Sequence, residues 1–148
     1  MMTMKVVWIR SISAIAGAVV IAGSVAAATQ EKKKPSITVR ANPTAGFSPM
    51  KVFVSAELKG GADDFKEFYC PTIEWDWGDD TSAERTSDCD PYLEGKSEIR
   101  RRYSISRIFQ TAGNYKVVFR LKQNDKVVGS ATTTVQVRPG LRDGGGER

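Results

Sequence analysis

Ile73-Glu74-Trp75-Asp76-Trp77-Gly78-Asp79-Asp80-Thr81 is the stretch on which the reading of this chain turns. Apolar and acidic side chains alternate over its first five positions, and a Gly-Asp-Asp run then interrupts them. Successive side chains of a strand point to opposite faces, so this period of two describes a strand with one dry face and one wet face. Ile73, Trp75 and Trp77 share the dry face; Glu74 and Asp76 share the wet one. Glycine tolerates positive φ, and Asp side chains bond free backbone amides, so Gly78-Asp79-Asp80 is turn chemistry. The segment reads as one arm of a hairpin whose other arm begins near Ser82.

The same period extends outward in both directions. Ile37, Val39 and Ala41 alternate with polar residues, as do Val52, Val54, Ala56 and Leu58, and Tyr115, Val117, Phe119 and Leu121. Tyr103, Ile105 and Phe109 share one parity, and Val127, Ala131, Thr133, Val135 and Val137 complete the set. Asn42-Pro43, Gly60-Gly61, Gly113-Asn114 and Asn124-Asp125 punctuate these runs as turns. Only Ala62–Phe68 suggests a helical turn, inside a loop. A sheet with one apolar face must cover it with another sheet. The expected fold is therefore an all-β, antiparallel, immunoglobulin-like sandwich of about seven strands over residues 36–139, the seventh strand lying near Ser82–Thr86.

The ends of the chain read differently. Met1–Arg10 carries Lys5 and Arg10 and no acid, and Ser11–Ala28 runs without charge into Val25-Ala26-Ala27-Ala28. A basic start, an apolar middle and a small-residue end describe a secretory signal peptide over residues 1–28. The apolar run, rich in Ala and Gly, is short of the roughly 20 residues a bilayer span needs. Residues 29–35 read as a polar linker, and residues 140–148 as a disordered tail with three consecutive glycines. Loss of the signal peptide leaves 20 basic residues against 17 acidic ones, an excess too small to suggest nucleic acid as a partner.

Export sets the expectation for Cys70 and Cys89, because paired cysteines in an oxidising compartment close disulfides. A hairpin turn centred between Asp79 and Asp80 opposes Trp77 to Ser82, Trp75 to Glu84, and Cys70 to Cys89. The bridge would brace a loop carrying Phe65, Phe68 and Tyr69 against one carrying Tyr92, giving an aromatic end for partner contacts. The chain has no histidine, the commonest general base and zinc ligand. With both cysteines consumed and no nucleophile–base pair visible, the chain reads as non-catalytic and free of cofactors.

Two segments carry a family resemblance. Ile73–Thr81, together with Arg107-Ile108-Phe109-Gln110-Thr111-Ala112-Gly113-Asn114-Tyr115-Lys116-Val117-Val118-Phe119-Arg120-Leu121, resembles the PKD domain family in motif order and spacing. Gly46–Val54, with Pro49 before the strand, resembles the family's second strand, and the likeness spans nearly all of residues 36–139. Arg107 and Phe109 stand where the family usually has His and Tyr, Asp80 where Gly is usual, and the cysteine pair is extra. The resemblance implies an immunoglobulin-like sandwich that serves as an extracellular binding or spacer module for proteins or polysaccharides.

Several residues admit two readings. Trp75 and Trp77 are candidates for a sugar-stacking platform, but their shared parity with Ile73 places them with Phe109 and Phe119 in the core. Tyr115, two residues after Gly113, fits a tyrosine corner. Asp76, Asp79 and Asp80 are weak calcium candidates; they lack the D-x-D-x-D-G spacing of a calcium loop, and turn capping accounts for them. Arg40, Lys51, Phe53, Arg100 and Arg102 collect on the outer face of the sheet built from the first, second and fifth strands, a candidate patch for an acidic partner. Charge that protects a sheet edge explains the same residues nearly as well.

The leading expectation is an exported, monomeric binding module, periplasmic or extracellular, that contacts a protein or polysaccharide of the cell envelope or exterior. The alternative is a small secreted inhibitor of a hydrolase acting through its disulfide-braced loops. Cleavage near Ala28 is directly testable: intact-mass measurement of the envelope form should give a chain that starts near Thr29, whereas a mature protein retaining Met1 in the membrane would contradict export with cleavage.

Overall fold

The computed structural model describes residues 31–140. The expected signal peptide, residues 1–28, lies outside the described residues, as do 29–30 and 141–148 of the expected linker and tail. Eight strands form two sheets. They are β1 (Ser36–Asn42), β2 (Ala45–Phe47), β3 (Met50–Lys59), β4 (Thr72–Asp76), β5 (Ser82–Arg85), β6 (Arg102–Phe109), β7 (Gly113–Gln123) and β8 (Lys126–Arg138). One sheet has the order β1-β3-β6 and the other β2-β8-β7-β4-β5. The fold is an all-β sandwich, and β5 occupies the place expected for the seventh strand.

Alternation in the sequence is alternation in space. Met50, Val52, Val54, Ala56 and Leu58 of β3 are buried, while Lys51 and Phe53 face solvent. Val117, Phe119 and Leu121 of β7 face them from the other sheet, with Val135 and Val137 of β8. Fully burying each such side chain contributes about 1.5–3 kcal/mol, so the seventeen buried apolar residues of the cluster form a core of ample size. A chain of rings crosses it: Trp75 stacks on Trp77 at 6.4 Å, Trp75 meets Phe119 at 4.6 Å, and Trp77 meets Phe109 edge-on at 6.3 Å. Tyr115 packs on Phe109 at 4.4 Å, and its hydroxyl donates to the Thr111 carbonyl at 2.8 Å, the geometry of a tyrosine corner.

Three features depart from the sequence reading. First, β2 is an eighth strand, and it pairs parallel to β8. Pro43 and Pro49 bracket it, and proline cannot donate to a ladder. The chain leaves the first sheet after β1, runs three residues along β8, and returns to β3. Second, the β4–β5 hairpin is shifted by one residue from the expected register, with Trp75 opposite Ala83 and Asp76 opposite Ser82. The Trp77 amide donates to the Thr81 carbonyl, so the turn is the three residues Gly78-Asp79-Asp80. Residues directly opposed in a sheet share a face. The expected pairing of Trp75 with Glu84 would have put a carboxylate in the core; instead Ala83 packs there, and Glu84 faces outward to meet Lys122. Third, a bulge between Leu121 and Lys122 breaks the parity of β8, so Val127 is exposed and Val128 packs on the core in its place.

Gly78 is required by two constraints at once. Its φ is +75°, and a Cβ there would lie 2.7 Å from the Lys116 carbonyl oxygen. Both the left-handed backbone and the contact with β7 exclude a side chain.

The pairing of β4 with β7 organises the outer face of the larger sheet. Glu74 lies opposite Arg120, and Trp75 opposite Phe119. Arg120 donates to Glu74 at 2.6 Å and to Asp76 at 3.1 Å, and Lys122 bridges Glu74 and Glu84. Glu74 and Asp76 thus lie on the wet face that their parity predicts, and there they pair across the strands. Lys122, and then Arg120, hold the Glu74 carboxyl below the usual range; the Gly78 amide, and then Arg120, do the same for Asp76. A carboxyl depressed in the folded state stabilises it fully above its unfolded pKa of about 4, and that stabilisation is lost as pH falls through the folded value. Urea midpoints should therefore hold steady from about pH 5 to 7 and fall below about pH 4. The Glu74→Gln, Asp76→Asn double variant should be less stable at neutral pH and show a shallower acid decline. An unchanged acid decline would assign the titration to other carboxylates.

Candidate functional site

The long connections gather at one end of the smaller sheet. Cys70 and Cys89 are bonded, with Cα atoms 6.2 Å apart. Both lie beyond the β4–β5 ladder, which spans Thr72–Asp76 and Ser82–Arg85, and Cys70 has φ +47°. The pairing expected from sequence is thus formed by two loops that meet, since the observed ladder register would set Cys70 opposite Asp88.

These loops look inward rather than outward. Phe68, expected as a loop contact for a partner, is fully buried, and Phe65 and Tyr69 pack against the core. A three-residue 3-10 turn, Lys66–Phe68, swings Phe68 under the sheets, where it meets Phe65 edge-on at 5.1 Å. Tyr92 is half-buried, edge-on to Tyr69, and its hydroxyl donates to the Asp64 carbonyl at 2.7 Å. Tyr69 in turn donates to the Asp90 carbonyl at 2.9 Å. Lys32 pairs with Asp64 and Glu94, and the Lys34 ammonium donates to the Val128 carbonyl and lies over the Phe68 ring. Residues 32–34, read as part of a linker, are held against these loops. The aromatic side chains expected to reach a partner are mainly spent on joining two loops to the core. Leu93, 58% exposed, is the apolar side chain this end does present, and no alternation marks it in the sequence.

The acidic turn is also committed internally. Asp76 accepts from the Gly78 amide and from Arg120, and Asp79 accepts from the Thr81 amide and hydroxyl and from Arg107. Asp80 is exposed, with φ +62°. Both oxygens of Asp76 and of Asp79 are engaged, so a cation here would have to displace these partners. Arg107 reaches Asp79 from β6, and its guanidinium lies over Trp77 at 4.9 Å and Phe109 at 5.6 Å. It closes the core at the turn, where an Arg can stack and pair at once.

The outer face of β1-β3-β6 is different in kind. Its residues form rows across the three strands: Thr38, Glu57 and Arg102; Arg40, Ser55 and Ser104; Asn42, Phe53 and Ser106; then Lys51 and Ile108. Phe53 is 53% exposed, and Ile108, on the adjacent row, is 51% exposed. Arg40 and Lys51 flank this apolar pair, and among the described residues neither has an acidic partner. Arg102 lies 3.5 Å from Glu57, which Lys59, and more weakly Arg102, hold below the usual carboxylate range. Of the five residues expected on this patch, four are there.

Arg100 is the exception. The strand begins only at Arg102, so parity does not govern Arg100. Its Nε donates to the Arg102 carbonyl at 2.9 Å, and its guanidinium covers the Tyr103 ring at 5.2 Å, at the edge of the sandwich. Ile108 belongs to the patch and was not anticipated; its parity with Ser104 and Ser106 is the signal that would have found it. The larger sheet's outer face around β4 contrasts with this one, because there Arg120 and Lys122 are neutralised by Glu74, Asp76 and Glu84.

No family model and no curated protein matches the chain. Among solved structures, the chain is similar to the PKD domain of an M14-like peptidase from Thermoplasmatales archaeon SCGC AB-540-F20. The two share 15% identity at a TM-score of 0.48, covering 72% of this chain and 98% of the other.

The bridge between the two loops carries its own test. Cys70 and Cys89 are 19 positions apart, and closing a loop of that size restricts the unfolded chain by about 3 kcal/mol. The Cys70→Ala, Cys89→Ala double variant should lose about that much stability in urea, and thiol titration of the denatured, unreduced wild type should find no free thiol. Two free thiols in freshly isolated protein would contradict the bridge.

Proposed function

We propose that this chain is an exported, non-catalytic binding module that docks an acidic partner on the outer face of β1-β3-β6. The observation that carries the reading is the pairing of two exposed apolar side chains, Phe53 and Ile108, with two unpaired cations, Arg40 and Lys51, on one flat sheet. An apolar centre with a charged rim is the anatomy of a protein docking surface, in which the centre supplies affinity and the rim steers approach. Ile108 favours a protein over a polysaccharide, since a branched aliphatic chain offers no ring face to a sugar.

A non-catalytic role suits the chemistry of this face. Thr38, Ser55, Ser104 and Ser106 are its hydroxyls, no histidine exists to activate them, and Glu57 is held by Lys59 and Arg102. The surface is a sheet and not a cleft. Export is supported by the basic, apolar and small-residue order of residues 1–28 and by the disulfide. Among the described residues, no helix is long and apolar enough to cross a membrane. The inhibitor alternative loses support from the loop geometry, because Phe68 is buried, Phe65 and Tyr69 pack on the core, and Tyr92 is held against Tyr69 and the Asp64 carbonyl.

The test is a double change on the face. Phe53→Ser with Lys51→Glu should abolish binding to the partner recovered from the native envelope and leave the melting temperature nearly unchanged, since both side chains are exposed. Binding by wild type should weaken with added salt. Full binding by the double variant would remove this face as the docking surface.

A further inference from the structure

The smaller sheet ends at β6, and the edge it presents is open. The Leu58 amide donates to the Arg101 carbonyl at 2.9 Å, which extends the β3–β6 register by one pair. In an antiparallel ladder, bonded pairs alternate along the strand. Tyr103, Ile105, Arg107 and Phe109 therefore exchange bonds with β3, and Arg102, Ser104, Ser106 and Ile108 turn their amides and carbonyls away from it. The Arg102 carbonyl confirms this direction, since it accepts from the Arg100 side chain. Among the described residues, the backbone groups of Ser104, Ser106 and Ile108 on this side have no partner. Such an edge is normally blocked by Pro, Lys, a bulge or a covering loop. Here its centre carries two serines, exposed and unbonded.

Two further features lie along that edge. A cleft of about 50 Å³ opens between the edges of β5 and β6, lined by Ile73, Trp75, Ala83, Glu84, Arg85, Ser104 and Ile105; the Glu84 carboxylate is paired with Lys122. Arg85 lines it, and Arg100 and Arg102 lie at the start of β6. Arg85 has no acidic partner among the described residues, Arg100 is in no ion pair, and Arg102 is 85% exposed beside Glu57. The edge therefore combines free backbone donors and acceptors, a recess with an apolar floor of Ile73, Trp75, Ala83 and Ile105, and arginines along its length.

We propose that the open edge of β6 accepts an extended, acidic segment of a protein partner as an added strand. Its backbone would bond to Ser104, Ser106 and Ile108 at the usual strand spacing of about 4.8 Å. Alternate side chains of an added strand point to opposite faces. One set would enter the recess above Ile105 and Ala83, which selects small apolar residues. The other would follow the outer face toward Arg102, which selects carboxylates, and Arg85 and Arg100 would receive acids at the margins. The segment's signature is thus alternating apolar and acidic residues. This inference concerns the edge and stands apart from the reading of the outer face.

The probe is a peptide blocked at both ends, matched to the eight residues of β6 and alternating Val with Glu, set against the same peptide with Lys for Glu. Binding is followed by amide hydrogen exchange and by chemical-shift changes in the full-length mature protein. The Glu peptide should bind, slow the exchange of the Ser104, Ser106 and Ile108 amides, and bind less well in salt; the Lys peptide should not bind. Ser104→Pro removes one edge donor and no bond to β3, and it leaves all three arginines in place. It should weaken binding by about tenfold or more. If Ser104→Pro proves unfolded, Arg85→Glu with Arg100→Glu should cause a comparable loss in a folded protein. Phe53→Ser with Lys51→Glu should leave peptide binding intact, so failure of the face reading is distinguishable from failure of this one. No binding of the Glu peptide at about 1 mM, equal binding of the Lys peptide, or full binding by folded Ser104→Pro would each overturn strand addition at β6.

Discussion

The ladder between β4 and β7 is the constraint on which the rest of the structure depends. One register sets Trp75 against Phe119 on the inner face and Glu74 against Arg120 on the outer face. A slip of one residue would reverse both, driving a guanidinium into the rings and a Trp into water. The ion pairs on the surface are worth little individually. Their weight lies in penalising the wrong register, while ring packing rewards the right one. From this ladder the rings extend to Phe109 and Tyr115 and bind β6 of the opposite sheet to β4 and β7.

That arrangement distributes charge unevenly over the molecule. Around β4 the larger sheet neutralises itself, and the acidic turn spends its carboxylates on Gly78, Thr81, Arg107 and Arg120. The long loops likewise spend Asp63 and Asp64 on Arg101 and Lys32. Glu57 is the carboxylate that remains to the outer face of the smaller sheet, at one end, so Arg40 and Lys51 stand beside Phe53 and Ile108 unopposed. The candidate docking face is in this sense a by-product of how acids elsewhere are used to fix turns and loops.

Arg107 shows how a departure from a familiar pattern can be structural. It stands where the PKD pattern usually has His, and it closes the core by lying over Trp77 while pairing with Asp79. Its Nε is buried and unpaired, a cost of about 1–3 kcal/mol that the stacking and the ion pair must offset. Tyr103 carries a similar cost, since its buried hydroxyl is without a partner and burial raises its pKa. Both lie on β6, the strand with the open edge.

Period-two alternation by itself determined the two-layer sandwich, the inward Trp75, Trp77, Phe109 and Phe119, and the outward Arg40, Lys51, Phe53 and Arg102. Parity is local, and a strand's dry face must find a core whichever partner it takes. The short β2 was illegible because three residues between prolines carry no alternation to read. The hairpin register was legible in principle, since Trp75 must oppose an inward residue and Ala83 is the apolar choice, but turn centring alone missed it by one residue. Only the tertiary structure decided where loops go. Phe68 turns under the sheets because apolar area is buried wherever the fold leaves room, and nothing in the order Lys66-Glu67-Phe68-Tyr69 states which ring finds it. Arg100 leaves the outer face because the strand starts two residues later, and Arg85 reaches the open edge because two sheets end side by side there. Contacts between loops, and between edges of different sheets, join residues far apart in sequence through no repeating pattern, and so they become visible only when the chain has folded.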